Sequence, residues 1–269
     1  MGTESRNPRS KHLDRMSAVE MVRLMNDEEA QVLTALQNAD HLLAEAATKV
    51  AEALQAGGRV IYVGAGTSGR IATMDAAEMP PTFGVEPDRF IALIAGGAKA
   101  GTNAVEDAED DIHAGITALN ALDVTPVDVM IGLAASGTTP FVVSAVRHAR
   151  QKGLWTCGIS NNRSGPLLDA ADLPIFLNTG PEVLTGSTRL KAGTSQKLAL
   201  NRISTVAMVL CGKVVENLMV DVKAKNAKLK ERCARIVMEL QPVTKDEAID
   251  LLSRYDWNIR RALQAARRR

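Results

Sequence analysis

Residues 62–84 read YVGAGTSGRIATMDAAEMPPTFG and follow an apolar run that begins at Val60. An apolar run of this length in front of a glycine-rich turn is typical of a strand buried in a parallel sheet. Gly64, Gly66 and Gly69 satisfy the pattern G-x-G-x-x-G, which is informative only between a strand and a helix. The stretch therefore predicts a strand, a tight turn and a helix whose N-terminus can approach a ligand.

The same alternation continues along the chain. Strand-like runs FIALIAG, VDVMIGLAAS, LWTCGIS and DLPIFLN alternate with helical stretches near 68–77, 102–121, 140–152 and 165–171. This order predicts an α/β fold, with a doubly wound parallel sheet flanked by helices. N-terminal helices are expected over 17–56, because Ser17 and Glu20 form a capping-box pattern and Gly57-Gly58 ends the periodic stretch.

The last third of the chain is predicted to be helical, over about 189–217 and 224–240. Segment 241–269 then shows a Thr244 cap, helical spacing and a break near Asp256, and it resembles a small ubiquitin-associated-type helical module. We expect a main domain over 1–240 and this module over 241–269, with the final RRR as a solvated helix end.

Composition excludes several classes of partner. Lys and Arg number 32 against 31 Asp and Glu, and a net charge of +1 gives no broad field for nucleic acid or an anionic membrane. The polar N-terminus and the lack of a long apolar run favour a soluble cytoplasmic protein. Three cysteines far apart in sequence predict no disulfide framework, and four histidines without metal-ligand spacing predict no metal site.

A dinucleotide and a phosphate are alternative ligands for the first glycine turn. A nicotinamide cofactor requires an acidic residue at the end of the second strand, and here that strand ends in Gly96-Gly97. Thr67 and Ser68, between Gly66 and Gly69, instead place hydroxyls at a helix N-terminus, which favours phosphate.

A second turn repeats this arrangement after the third strand. Its residues are Ser136, Gly137, Thr138 and Thr139, followed by Pro140 at a helix start. Because loops at the carboxyl ends of parallel strands meet at one crevice, the two turns are expected to bind opposite ends of one small ligand. The alternative is that the hydroxyls only cap helices.

Four motifs, GAGTSGR, DAAEMPPTFG, AASGTTP and GPEVLTGSTRLKAGTSQKLALN, together resemble the N-acetylmuramic acid 6-phosphate etherases, a family of sugar isomerase (SIS) domain proteins. The likeness extends from TESRNP at 3–8 to the segment at 217–237. It implies a SIS-type fold, a homodimer, no cofactor, and cleavage of the D-lactyl ether of N-acetylmuramic acid 6-phosphate in cell-wall sugar recycling. A non-catalytic phosphosugar regulator and an aldose–ketose isomerase stay open as alternatives, because the same fold serves both.

The implied reaction requires one base and one acid. A base removes the proton on carbon 2 of the open-chain sugar, the lactate oxygen leaves carbon 3 with a proton, and water adds to the product. The resemblance places the two functional glutamates at Glu78, the acid, and Glu109, the base. Without it, the acidic run at 105–111 would indicate a solvated helix start.

Prolines define the expected surroundings of Glu78. Pro80-Pro81 are expected to end the helix that carries Glu78 and to fix its position. Burial beside Met79 and Phe83 is expected to raise its pKa, as an acid at neutral pH requires. The family often has cysteine at Met79.

Further substrate contacts are expected in two segments. Thr138 stands where the family often has arginine, so a cationic contact from that turn is expected to be missing. Glu182, Ser187, Thr188, Arg189 and Lys191 precede or begin a predicted helix, where the cations could bind the phosphate or the lactate carboxylate. Caps and surface charges are the alternative.

Overall fold

The computed structural model of the chain describes residues 2–105, 107–222, 224 and 226–266. The strands are β1 (Val60–Gly64), β2 (Phe90–Ile94), β3 (Val129–Ala134), β4 (Trp155–Ser160), β5 (Leu173–Phe176), β6 (Val214–Val215) and β7 (Leu218–Met219). The helices are α1 (Ala18–Gln37), α2 (Asp40–Gln55), α3 (Gly66–Phe83), α4 (Ile112–Asn120), α5 (Pro140–Gln151), α6 (Pro166–Ala170), α7 (Lys191–Leu210), α8 (Ala227–Leu240), α9 (Lys245–Arg254) and α10 (Ile259–Ala266).

Strands β1 to β5 form one parallel sheet in the order β2-β1-β3-β4-β5. Val60 of β1 pairs with Phe90 on one side and Val129 on the other. The predicted doubly wound parallel sheet is therefore confirmed. Because the order reverses between β1 and β3, the connections from these two strands diverge and open a crevice at their carboxyl ends.

Side chains of β1 alternate between the two faces of the sheet. Ile61 and Val63 join a core cluster with Phe141 of α5, whereas Tyr62 points to the other face. There its hydroxyl donates to Asp75 Oδ2 at 3.0 Å, and Asp75 Oδ1 accepts from Asn201 Nδ2 at 2.8 Å. Burial raises the pKa of Asp75. These bonds fix α3 and α7 on this face of the sheet.

Sequence signals at several helix ends are confirmed. Capping boxes open α1 at Ser17 and α9 at Thr244. Gly57, with φ of 90°, follows α2 as expected. The helices expected over 17–56 are confirmed as α1 and α2, with a short break between Gln37 and Asp40.

The predicted helix end at Pro80-Pro81 is wrong. Helix α3 continues through both prolines to Phe83, and Gly84 ends it with φ of 66° and an N–H that donates to Pro80 O at 3.0 Å. Each proline removes one helical hydrogen bond. Burial of Met79 and Phe83, each 4% exposed, offsets that loss.

The predicted helix over 102–121 begins ten residues late, at Ile112. Asp111 caps it by accepting from His113 N and Ala114 N, both at 2.9 Å. Asp107, with φ of 62°, lies in the left-handed region, which a continuing right-handed helix excludes. Glu109 therefore lies in a loop.

The predicted helix over 189–217 ends at Leu210 instead. Gly212 follows with φ of 70°, and the hairpin β6–β7, which the sequence did not predict, occupies the next residues.

Contacts divide the chain into two compact units. One comprises Met1–Ala76 and Arg89–Ala207 and holds the five-stranded sheet; the other comprises Ala77–Asp88 and Met208–Arg269. Helices α8, α9 and α10 share one apolar core. The predicted division at residue 240 stays a prediction, and the three final arginines lie outside the described residues. No helix in the described part of the chain is long and apolar enough to span a membrane.

Candidate active site

A cavity of about 330 Å³ lies at the carboxyl ends of β1 and β3. This is the point where the strand order reverses, and parallel α/β sheets bind ligands there. The predicted site residues that line this cavity are Gly66, Thr67, Ser68, Glu109, Ser136, Thr138 and Thr139. Glu4, Asp110 and Thr188 line it as well. The fold thus brings together two turns and one acidic loop that are far apart in sequence.

Glycines shape the first turn by allowing close packing. A Cβ at Gly64 would lie 2.7 Å from Gly69 N, and one at Gly69 would lie 2.5 Å from Ile94 Cγ1. Gly66 has φ of 52°, a left-handed conformation that glycine adopts readily. The first N–H groups of α3, which have no partner within a helix, lie beside the cavity, and N–H groups in this position favour an anion.

Ser68 is supported from behind by a buried polar network. Its hydroxyl donates to Gln196 Oε1 at 2.7 Å, and Gln196 Nε2 donates to Asn161 Oδ1 at 3.1 Å. Asn161 Nδ2 in turn donates to Ser195 Oγ at 2.8 Å. The Ser68 hydroxyl is therefore fixed by α7, and its oxygen remains able to accept from a ligand.

The second turn is fixed by its own hydroxyl groups. Ser136 Oγ accepts from Thr138 N at 3.1 Å and from Thr138 Oγ1 at 3.0 Å. Gly137 has φ of 73° and donates to Ala134 O at 3.0 Å. The Thr139 side chain makes no capping bond to α5. The Thr139 hydroxyl therefore does not cap α5, which was the alternative for this turn.

Glu109 lies in a loop that is held at several points. Its carbonyl oxygen accepts from Phe141 N at 3.0 Å, so its backbone is attached to the N-terminus of α5. Arg70 of α3 donates to Ala100 O at 3.0 Å and to Asn103 O at 2.9 Å. This loop brings the exposed Glu109 side chain to the cavity wall.

The cavity wall is acidic. Among the described residues that line it, Glu4, Glu109 and Asp110 carry the charges, and all are negative. A phosphate in this cavity would therefore be bound by backbone N–H groups and hydroxyls. This agrees with the expectation that the second turn offers no cationic contact, because Thr138 stands where the family often has arginine. In the described part of the chain, no group of three or more His, Cys, Asp or Glu side chains could hold a metal ion.

Glu78 lies elsewhere on α3. It belongs to the second compact unit, whereas every residue that lines the cavity belongs to the first. Met79 and Phe83 are buried, but the Glu78 side chain is exposed, so its expected burial is wrong. Its part in the reaction stays a prediction.

Lys191 and Glu182 have buried protein partners. Glu182, which is fully buried, caps α7 by accepting from Lys191 N at 3.0 Å and Ala192 N at 2.9 Å. Lys191 Nζ, which is 2% exposed, donates to Glu28 Oε2 at 2.6 Å. Neither residue lines the cavity. Their substrate contacts stay predictions, but the structure gives both a role in holding α7.

The other predicted contacts have different positions. Gly69 and Gly137 lie in turns that are packed too closely to leave room for a side chain. Ser187 is half-buried and does not line the cavity. Thr188 is the residue of that segment that reaches the cavity wall.

Lys191→Met is expected to lower the free energy of unfolding by about 3–5 kcal/mol, because Glu28 would keep a buried charge without its main partner. Urea denaturation measures this loss. Lys49→Met is the matched control: Lys49 pairs with Glu52 at 2.8 Å on the surface, and its loss is expected below about 1 kcal/mol. Equal losses in the two variants would contradict a structural role for Lys191.

Comparisons with known proteins extend these observations. Residues 42–150 match the family model described as the glucokinase regulatory protein N-terminal SIS domain. Over 261 residues, the chain is 49% identical to the N-acetylmuramic acid 6-phosphate etherases of Yersinia pestis (strain Pestoides F) and Yersinia pseudotuberculosis (serotype O:1b, strain IP 31758). Each alignment covers 97% of this chain and 88% of the relative.

Solved structures share the fold. A phosphoheptose isomerase from Francisella tularensis matches with a TM-score of 0.57 at 18% identity, over 72% of this chain and 100% of that one. A phosphoheptose isomerase from Neisseria gonorrhoeae matches with a TM-score of 0.53 at 21% identity, over 73% of this chain and 100% of that one. These likenesses confirm the SIS-type architecture.

Proposed function

Because the chain belongs to the N-acetylmuramic acid 6-phosphate etherase family, we propose that it cleaves the D-lactyl ether of N-acetylmuramic acid 6-phosphate. The products are N-acetylglucosamine 6-phosphate and D-lactate. The observation that carries the proposal is the cavity between β1 and β3, where Glu109 lies beside two hydroxyl-bearing turns suited to a phosphate.

The reaction proceeds by elimination and then addition of water. The phosphate binds at the turns 66–68 and 136–139, and Glu109 removes the proton on carbon 2 of the open-chain sugar. The bond between carbon 3 and the lactate oxygen breaks, and Glu78 donates a proton to that oxygen. Glu78 then takes a proton from the water whose hydroxyl adds to carbon 3, and Glu109, whose proton has exchanged with solvent, protonates carbon 2, so that both groups return to their starting states. Neither step requires a metal or a redox cofactor.

We further propose that the protein acts as a homodimer in the cytoplasm. Helix α1 exposes Val19, Val22, Met25 and Leu33, which lie on one helix face, and pairing would remove this apolar area from water. In such a dimer, the exposed Glu78 of one copy would contact the substrate in the cavity of the other copy. Light scattering on the purified protein tests the pairing, and a monomer at all concentrations would contradict it.

Product analysis distinguishes this function from its alternatives. Incubation with N-acetylmuramic acid 6-phosphate is expected to release D-lactate, detected enzymatically, together with N-acetylglucosamine 6-phosphate. Binding without any product would favour a phosphosugar regulator. A ketose phosphate with no lactate would favour an isomerase.

A further inference from the structure

The N-terminal arm, residues 2–10, is attached to the second turn through one side chain. Thr3 is fully buried; its N–H donates to Asn162 Oδ1 at 3.0 Å, and its hydroxyl oxygen accepts from Asn162 Nδ2 at 3.0 Å. The same Asn162 amide also donates to Ala135 O at 3.2 Å. The position of the arm is thus tied to the turn that ends at Thr139.

The arm is held a second time, four residues further on. Asn7 is 4% exposed, and its Nδ2 donates to Glu28 Oε2 at 2.8 Å and to Pro181 O at 3.3 Å. Between the two attachments, Ser5 N donates to Gly2 O at 3.0 Å and closes a turn around Glu4. The backbone of Glu4 is therefore fixed by contacts within the chain itself.

The Glu4 side chain lies where two cavities adjoin. It lines the 330 Å³ cavity and also a second cavity of about 550 Å³, which shares Ser136 and Thr138 with the first and is further lined by Arg163. A Cβ at Gly186 would lie 3.3 Å from Glu4 Oε2. Among the described residues, the Glu4 carboxylate has no hydrogen-bond or ion-pair partner.

We propose that Glu4 contacts the substrate, as the acceptor for an uncharged donor of the sugar, either a sugar hydroxyl or the acetamido N–H. An ionised carboxylate can only accept hydrogen bonds, and it repels both the phosphate and the lactyl carboxylate. Glu4 therefore selects the uncharged part of the sugar for the junction of the cavities. The phosphate then binds at the two turns, and the lactyl carboxylate lies toward Arg163 in the second cavity. This inference rests on the proposed function and adds a specificity residue to it.

Glu4→Ala is expected to weaken the binding of N-acetylglucosamine 6-phosphate about tenfold, because a hydrogen bond to a charged acceptor is lost. Inorganic phosphate is expected to bind at least as tightly as to the wild type, since a negative charge leaves the cavity. Isothermal titration measures both affinities, and kcat/KM for lactate release is expected to fall in parallel. Arg6→Ala, on the same arm but outside both cavities, is the control and is expected to match the wild type.

Thermal unfolding separates a lost contact from a lost fold. Glu4→Ala is expected to unfold at the wild-type temperature, since the side chain is exposed; if it does not, Glu4→Met, which keeps the length of the side chain but has no oxygen acceptor, is titrated instead, with the same expected loss. Unchanged affinity for N-acetylglucosamine 6-phosphate, or an equal loss for the sugar phosphate and inorganic phosphate, would overturn the proposal. A wild type that binds the sugar phosphate but releases no lactate would instead overturn the proposed function and leave the Glu4 titration valid.

Discussion

Glu109→Gln is expected to lower kcat for lactate release by about a thousandfold, because the amide cannot accept the proton on carbon 2. The substitution keeps the size of the side chain, and the two phosphate turns do not depend on it. N-acetylglucosamine 6-phosphate is therefore expected to bind with nearly unchanged affinity. A lactate assay and a titration on the same preparation separate the chemical step from binding.

Asp107→Asn provides the matched control for this variant. Asp107 belongs to the same acidic run, lies outside the cavity and has φ of 62°, a conformation that asparagine tolerates. Its activity is expected to equal that of the wild type. If Glu109→Gln kept wild-type turnover, the assignment of the base to this loop would be wrong.

Glu78→Gln is expected to reduce lactate release by a similar factor, for a different reason. The lactate oxygen is a poor leaving group unless it receives a proton as the bond to carbon 3 breaks. Removal of the carbon 2 proton does not require that acid, so the variant is expected to exchange this proton of the substrate with heavy water, whereas Glu109→Gln is not. Nuclear magnetic resonance follows the exchange directly.

Glu45→Gln, an exposed glutamate on α2, is the control for Glu78→Gln and is expected to retain full activity. Loss of both exchange and lactate release in Glu78→Gln would contradict its role as the acid. Mixed assemblies of the Glu78→Gln and Glu109→Gln chains test the homodimer as well: if a second copy supplies Glu78, mixing two inactive variants restores part of the activity, because one site in each hybrid is intact.

Much of the fold could be predicted from local patterns. Apolar runs separated by helical periodicity identify a parallel sheet, because a strand buried on both faces cannot alternate with polar residues. Ser17 and Thr244 marked helix starts because a cap depends on neighbours within one turn. Two of the errors share a physical cause. Burial of Phe83 carries α3 past two prolines, and the contact of the Glu109 carbonyl with α5 lies in a loop that was expected to be helical; both are tertiary effects.

The site, too, has a part that local sequence patterns predict and a part that depends on tertiary contacts. The turns after β1 and β3 could be placed together, because parallel strands bring their carboxyl ends to one edge of the sheet. Glu4 was missed as a site residue because its position depends on a bond between Thr3 and Asn162, which are 159 residues apart. Its segment, TESRNP, appeared only as part of the family resemblance. The buried ion pair of Lys191 with Glu28 joins residues 163 apart in sequence, so local patterns could not predict it either.

The most direct test of the central claim is the isotope content of the product formed in heavy water. The wild-type protein is expected to convert N-acetylmuramic acid 6-phosphate to N-acetylglucosamine 6-phosphate that carries deuterium on carbon 2, because the elimination removes the original proton and solvent replaces it. Release of D-lactate with the original hydrogen still on carbon 2 would contradict proton abstraction in this cavity and would require direct cleavage of the ether.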